Sequence, residues 1–143
     1  MSIRRSLRST DPLTLERISL FSGCGSRELQ KLERIGTRVH VKAGRTLVTA
    51  GDFASEILLV LSGTASCCVG TREVATFVTG DFFGEVAALC GGPRTATVTA
   101  TTDMDLWVLV RGELETVLQV SPHVARRMLC AMAQRLRAAD VAA

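Results

Sequence analysis

A group of residues near the middle of the chain has the types and the order needed to hold a small phosphorylated molecule. Gly84 and Glu85 precede a short apolar run that can form one or two turns of helix, and Arg94 follows a break of two glycines and a proline. A helix N-terminus attracts anions because its N–H groups are unpaired, and the planar Arg guanidinium matches phosphate oxygens. A carboxylate accepts hydrogen bonds from sugar hydroxyls. The sequence therefore predicts a site for a molecule with both hydroxyl groups and a phosphate.

Other residue types that perform chemistry lack a suitable spacing. His40 and His123 lie far apart with no Glu or His at metal-ligand spacing, which argues against a metal-binding β-roll enzyme. The sequence has no Gly-x-Ser-x-Gly motif, no Cys–His constellation and no phosphate-loop Gly-Lys motif. The five cysteines are an odd number without metal-ligand spacing, which indicates reduced thiols. We therefore expect a binding protein that is not an enzyme and has no cofactor.

The bulk composition is that of one globular domain. The chain has 143 residues, of which 47% are hydrophobic and 22% charged, enough for a single core but too short for two ordinary domains. The net charge of +3 is too small to indicate a nucleic-acid partner. No uncharged apolar run approaches the length of a membrane span, and no secretory signal is present. We expect a mobile tail at 1–12, a domain at 13–138, a C-terminal tail at 139–143 and a cytoplasmic location.

Helices are predicted at both ends of the domain and short strands between them. The predicted helices are 13–20, 27–35 with Ser26 as N-cap, 112–120, and a last helix that begins at Ser121-Pro122. The predicted strands are 39–41, 46–48, 57–61, 65–69, 74–78, 96–100 and 106–110. Short strands spaced about ten residues apart, with glycines between them, indicate a sandwich or a roll. Along the last helix, apolar residues recur every four positions, at Val124, Met128, Met132 and Leu136.

The segment 82–98 closely resembles the phosphate-binding cassette of the cyclic nucleotide-binding domain family. The resemblance extends over about residues 18–136, and its most specific parts are Phe83-Gly84-Glu85 and the run from Pro93 to Val98. Gly44, Gly51 and Gly63 also stand where the family places turns between strands. The resemblance implies a mainly β fold with flanking helices: an eight-stranded, jelly-roll-like β-roll with N-terminal helices, a short cassette helix and C-terminal helices.

The resemblance assigns roles to the residues of the cassette. Arg94 matches the arginine that pairs with the cyclic phosphate, and Glu85 matches the residue that accepts a hydrogen bond from the ribose 2′-hydroxyl. The remaining predicted cassette contacts are Gly84, Val86, Ala87, Thr95 and Ala96. Two alternatives remain open: Arg94 as a surface arginine that caps a turn, and Glu85 in a salt bridge to Arg94 in the empty state. Phe82 and Phe83 are predicted to be core anchors.

The residues predicted to contact the base do not show whether that base is adenine or guanine. Cys67 stands where the family places an apolar residue under the base, and strand alternation puts it on one face with Ala65 and Val69. The Thr95 hydroxyl can reach either a guanine amino group or a phosphate oxygen, so it does not settle the base. Because the chain looks bacterial, we favour cyclic AMP over cyclic GMP. Arg135 matches an arginine that stacks on the base from the last helix. The alternative is a solvated arginine on the helix surface.

The prediction is a stand-alone receptor for a cyclic nucleotide, in which ligand binding switches the C-terminal helix. We expect no helix-turn-helix module, and hence no nucleic-acid partner, and no membrane span. The alternative is a degenerate regulatory or protein-interaction module that keeps the fold and binds another anion or no ligand. The signal would pass to an unidentified effector protein or to a homodimer. For the stripe Val124–Leu136, packing on the roll is favoured over a dimer seam.

Overall fold

The computed structural model describes Ile3 and residues 15–142, with the backbone alone for residues 140–142. Within this part of the chain the strands are β1 (Thr37–Val41), β2 (Thr46–Val48), β3 (Ile57–Ser62), β4 (Ala65–Val69), β5 (Arg72–Phe77), β6 (Phe82–Phe83), β7 (Thr97–Ala100) and β8 (Met104–Leu109). The α-helices are α1 (Ser26–Ile35), α2 (Glu85–Cys90), α3 (Arg111–Val120) and α4 (Pro122–Ala142). The predicted fold class, an eight-stranded roll with flanking helices, is confirmed.

The eight strands form two antiparallel sheets of four strands. The strand order is β1-β8-β3-β6 in the first sheet and β2-β7-β4-β5 in the second. Successive residues of a strand point to opposite faces. On β3, Leu58 and Val60 therefore join the core between the sheets, whereas Ile57 and Leu59 join a second core under the helices. The first sheet thus has an apolar core on each side.

Strand β6 fixes the point at which α2 begins. Phe83 pairs with Leu58, and Phe82 pairs with Leu59. The Phe83 side chain enters the core between the sheets and the Phe82 side chain enters the helix-side core, each 3% exposed. Both are therefore core anchors, as predicted. Because Gly84 follows directly, the start of α2 is held against the end of the roll.

The helix predicted at 13–20 is wrong in its described part. A turn leads instead into a 3₁₀ helix at Ser19–Phe21. The hydrogen bond from the Ile18 N–H to the Leu15 carbonyl, 3.0 Å long, spans three residues rather than four. Gly23 follows with φ +89°, a conformation that does not continue a helix. Residues 13 and 14 lie outside the described residues.

Several other boundaries differ from the prediction by one to four residues. Gly25, rather than Ser26, is the N-cap of α1, because the first helical hydrogen bond runs from the Leu29 N–H to the Gly25 carbonyl. Ser121 is confirmed as a capping residue of α4, since its hydroxyl accepts a 3.2 Å hydrogen bond from the Val124 N–H. α4 continues to Ala142, where a separate tail was predicted at 139–143.

The apolar stripe of α4 packs on the domain over its first half. Val124 and Met128 are 1% and 6% exposed in the helix-side core, whereas Leu136 is 67% exposed. A helix has 3.6 residues per turn, so a four-residue spacing advances about 40° per step, and Leu136 lies about 120° around the helix from Val124. The prediction that the whole stripe packs on the roll is therefore wrong at Leu136.

The predicted mobile tail at 1–12 lies outside the described residues except for Ile3. The Ile3 side chain is 7% exposed and packs with the core between the sheets. None of the described helices combines the length and the apolar composition that a membrane span requires.

Candidate functional site

A cavity of about 310 Å³ opens between the second sheet, α2 and α4. Its walls include every residue that the sequence assigned to the site: Cys67, Gly84, Glu85, Val86, Ala87, Arg94, Thr95, Ala96 and Arg135. They also include residues that the sequence did not assign: Val48, Ala75, Phe77, Phe83, Pro93 and Val98. The fold therefore brings the predicted residues together around one space. Their roles toward a ligand stay predictions.

The N-terminus of α2 lies at the polar end of the cavity. Gly84 precedes the helix with φ +86°, and a Cβ atom there would lie 2.6 Å from Arg94 Nη1 and 2.7 Å from the Glu56 carbonyl oxygen. Only glycine fits without a shift of the backbone. The first helical hydrogen bond runs from the Ala88 N–H to the Gly84 carbonyl. The N–H groups of residues 85–87 consequently have no acceptor within the helix, which makes them donors for an anion.

Arg94 is a buried cation beside these donors. Its side chain is 7% exposed, Nη1 donates to the Gly84 carbonyl at 3.1 Å, and Nη2 donates to the Glu56 carbonyl at 2.7 Å. Its Nε is buried and has no hydrogen-bond partner among the described residues. Burial lowers the pKa of the guanidinium, against the opposing effect of Glu56, Glu85 and Asp52. The alternative of a surface arginine is therefore wrong, and an anion in the cavity would supply charge and an acceptor to Arg94.

Hydrogen bonds hold the backbone of Arg94 as well as its guanidinium group. The Arg94 N–H donates to the Asp52 carbonyl at 2.8 Å, and the Gly51 N–H donates to the Arg94 carbonyl at 2.8 Å. Gly51 has φ +89°, which lets the loop after β2 turn back toward Arg94. These two backbone hydrogen bonds place the Arg94 guanidinium where the loop after β2, the start of α2 and the cavity meet.

Glu85 pairs with Arg135 rather than with Arg94. Arg135 Nη1 donates to Glu85 Oε1 at 2.9 Å, and Nη2 donates to the Phe82 carbonyl. The Arg135 guanidinium carbon lies 4.6 Å from the centre of the Phe82 ring and 5.8 Å from that of Phe77. A salt bridge between Glu85 and Arg94 in the empty state is thus wrong, and so is a solvated Arg135. The stacking of Arg135 on a base stays a prediction.

The far end of the cavity is apolar and suits a flat aromatic group. The rings of Phe77 and Phe83 stack there with centroids 4.9 Å apart and planes 10° apart. Cys67 is 8% exposed, and burial raises the pKa of its thiol, so it is a small neutral wall residue. Ala65 and Cys67 are both buried as predicted, but Val69 is 52% exposed. The register of β4 and β5 shifts between Cys67 and Cys68, which ends the regular alternation there.

Phe77 is the largest side chain of β5 among the wall residues that the sequence analysis did not assign to the site. It ends β5, which was predicted as residues 74–78, and it was not considered as a wall residue. The available signal was its alternation with Ala75, because two residues apart on a strand share a face. Both residues line the cavity.

Comparison with known proteins shows a family whose sequence pattern this chain shares. The sequence model of the family described as "Cyclic nucleotide-binding domain" matches residues 38–121. A cAMP-dependent protein kinase regulatory subunit of Mucor circinelloides f. lusitanicus is 34% identical over 88 residues, which cover 62% of this chain and 21% of that protein. An uncharacterized NTE family protein of Mycobacterium tuberculosis is 30% identical over 136 residues, which cover 94% of this chain and 23% of that protein.

Among solved structures, the catabolite activator protein of Thermus thermophilus superposes with a TM-score of 0.76 and 29% identity. The match covers 85% of this chain and 60% of that one. The chain spans less than a quarter of each of the two curated relatives, 21% of one and 23% of the other.

Proposed function

This chain belongs to the cyclic nucleotide-binding domain family, and on that premise we propose that it is a receptor for a cyclic purine nucleotide, with cyclic AMP favoured over cyclic GMP. The observation that carries the proposal is Arg94, a buried cation whose Nε lacks a partner among the described residues and which lines the cavity beside the N-terminus of α2. A buried charge is costly unless it is paired. A cyclic phosphate at this position provides that pairing.

The cavity accommodates the three parts of a cyclic nucleotide in order. The phosphate lies between Arg94 and the N–H groups of α2, where charge-assisted hydrogen bonds are strong. The ribose 2′-hydroxyl donates to Glu85, whose carboxylate can accept further bonds beside the one from Arg135. The purine lies against the apolar wall that contains Cys67 and Phe77.

Cyclic AMP is favoured because the base end of the cavity is apolar. The stacked pair Phe77 and Phe83 and the neutral thiol of Cys67 offer packing rather than hydrogen bonds to a purine edge. Thr95 is exposed and lines the polar end, beside Arg94. The name of the Mucor relative, a regulatory subunit of a cAMP-dependent kinase, supports the same ligand.

Calorimetric titration with cyclic AMP, cyclic GMP and 5′-AMP tests the proposal. We expect saturable binding of cyclic AMP, weaker binding of cyclic GMP, and little heat from 5′-AMP, whose phosphate carries an extra charge and is not closed onto the ribose.

The other candidate function is a regulatory or protein-interaction module that keeps the fold but does not bind a cyclic nucleotide. The observation in its favour is that Glu85 and Arg94 already bond to groups of this chain, Glu85 to Arg135 and Arg94 to the Gly84 carbonyl. The absence of binding heat from both cyclic nucleotides would support this candidate.

Replacing Thr95 with alanine tests whether its hydroxyl also reaches a guanine base, in which case cyclic GMP binding should weaken more than cyclic AMP binding. If the hydroxyl reaches the guanine amino group, its loss costs about 0.5–1.5 kcal/mol, which is roughly a two- to tenfold rise in Kd. Paired titrations of the wild type and the variant measure both ligands. Equal losses would assign Thr95 to the phosphate alone and contradict a role in base selection.

We propose that α4 carries the response to the ligand. Arg135 links α4 to Glu85 and lies over the rings of Phe77 and Phe82, so that the helix reaches the cavity wall. A ligand that brings a phosphate and a ribose to α2 favours the arrangement in which α4 closes over the base. It shifts that equilibrium only by its greater affinity for the closed form. The domain itself performs no reaction, acts in the cytoplasm and signals through α4 to an effector protein or a second copy.

Deleting residues from Gln134 onward should accelerate ligand release. The deletion removes Arg135, whose cation–π contact with a base contributes about 0.5–2 kcal/mol, so Kd should rise roughly three- to thirtyfold. The change should lie mainly in the off-rate, because a lid retains a bound ligand rather than guiding its entry. Stopped-flow release of a fluorescent cyclic nucleotide measures the rate. A chain that ends at Arg137 keeps Arg135 and is the matched control, and equal off-rates for all three chains would contradict the lid.

A further inference from the structure

The C-terminal end of α2 is held by an arginine that the site described above does not include. Arg111 Nε donates to the Ala88 carbonyl at 2.8 Å, and Nη2 donates to the Ala87 carbonyl at 3.1 Å. The last carbonyls of a helix lack N–H donors within the helix, although the Ala87 carbonyl also accepts from the N–H of the C-cap residue Gly91 at 3.0 Å. A cation at this end interacts favourably with the helix dipole. Arg111 is the first residue of α3, which follows β8 almost directly. It therefore joins the cassette helix to the start of the next helix.

α2 depends on such contacts for its position. It has six residues, and glycines with positive φ flank it, Gly84 at +86° and Gly91 at +75°. Helices this short are unstable alone, because nucleation is costly and few bonds follow it. Ala87 and Ala88 are 4% and 1% exposed, so packing holds the middle of the helix, but alanine offers little surface. The direction of α2, and with it the direction of its N–H groups, depends on the groups at its two ends.

Arginines from two different helices hold those two ends. Arg135 of α4 binds Glu85 at the N-terminal end, and Arg111 of α3 binds the carbonyls at the C-terminal end. The two helices also share a core, in which Leu114 packs in the same cluster as Val124 of α4 and Ala88 of α2. α2 is therefore linked at both of its ends to the α3–α4 pair.

We propose that Arg111 is a positioning residue for the nucleotide site: it keeps α2 in the orientation in which the N–H groups of residues 85–87 meet the cyclic phosphate. This inference rests on the proposed function for the ligand, although the positioning itself is a property of the empty protein. When only a fraction of molecules has the competent arrangement, the apparent Kd rises by the inverse of that fraction. Loss of Arg111 lowers the fraction without removing any group that touches the ligand.

The experiment compares Arg111→Met with Arg111→Lys and with the control Arg126→Met. Methionine keeps the apolar stem of Arg111 but removes its donors and charge, whereas lysine keeps the charge but cannot bridge two carbonyls as the planar guanidinium does. Arg126 is exposed on α4 and serves as the matched surface arginine. We expect Arg111→Met to raise the Kd for cyclic AMP about three- to tenfold. Arg111→Lys should fall between it and the wild type, and Arg126→Met should equal the wild type.

Amide hydrogen exchange separates positioning from general loss of stability. In the ligand-free Arg111→Met protein, the N–H groups of Ala88 and Gly91, which bond within α2 and at its cap, should exchange faster, while β3 and β8 keep their protection. Saturating cyclic AMP should restore protection to α2. Unchanged exchange in α2, or faster exchange throughout the roll, would overturn the proposal. If the wild type binds no cyclic nucleotide, the proposed function fails, but the ligand-free exchange still decides whether Arg111 positions α2.

Discussion

Replacing Arg94 with alanine should nearly abolish cyclic nucleotide binding. Arg94 is 7% exposed, and its charge is desolvated whether or not a ligand is present. Truncating one partner of a desolvated charge pair costs about 2–5 kcal/mol, which raises Kd roughly 30- to several-thousandfold. Direct titration with cyclic AMP, extended by competition against a fluorescent analogue for weak variants, measures the loss.

The control for this variant must separate ligand binding from folding. Arg94 also bonds to the carbonyls of Gly84 and Glu56, so alanine leaves two acceptors without their donor. Urea unfolding of the ligand-free protein measures that effect by itself. Arg94→Lys keeps a cation but loses the planar fork, and Arg126→Met changes an arginine on the surface of α4. A folded Arg94→Ala protein that binds within a few-fold of the wild type would place the phosphate elsewhere.

Replacing Glu85 with glutamine should cause the second largest loss, and the loss should depend on the 2′-hydroxyl. Glutamine keeps the shape of Glu85 but turns a charge-assisted hydrogen bond into a neutral one, which costs about 1–3 kcal/mol, or roughly five- to 150-fold in Kd. The loss should largely vanish for 2′-deoxy cyclic AMP, which lacks the donor. Titrations of both proteins with both ligands form a complete cycle.

The pairing of Glu85 with Arg135 requires one further comparison. The same Glu85→Gln change, made in the chain that lacks residues from Gln134 onward, removes the ribose contact without also weakening the contact to Arg135. The dependence on the 2′-hydroxyl should persist in that shortened chain. An equal loss for both ligands would mean that Glu85 acts on α4 and does not touch the ribose.

The fold and the cassette were predictable because their signals are local. Glycine at position 84 is required by a positive φ and by the approach of Arg94, and the strands alternate in short runs between glycine turns. Strand β6 carried no periodic signal, since it has two residues, but the adjacent phenylalanines marked it as a core anchor. The 3₁₀ helix at Ser19–Phe21 was predicted as part of an α-helix because apolar spacing does not distinguish the two over one turn.

The contacts that hold the two ends of α2 were not predictable, because they join residues that are far apart in the sequence. Arg135 and Glu85 are 50 residues apart, and Arg111 lies 23 residues from the carbonyl of Ala88. A single sequence shows an arginine on a helix but not the rotation of that helix about its axis. The four-residue spacing that begins at Val124 suggested an apolar stripe that ends at Leu136. Because a helix turns once in 3.6 residues, the side of α4 that faces the cavity at this point carries Arg135 instead.

The position of the cyclic phosphate in a crystal structure of the chain grown with cyclic AMP tests the central claim most directly. The account predicts phosphate oxygens within hydrogen-bond distance of the Arg94 guanidinium and of the N–H groups at the start of α2, the 2′-hydroxyl on Glu85, and the purine beside Cys67 and Phe77. A nucleotide bound with its phosphate away from Arg94, or a cavity that stays empty at saturating cyclic AMP, would contradict it.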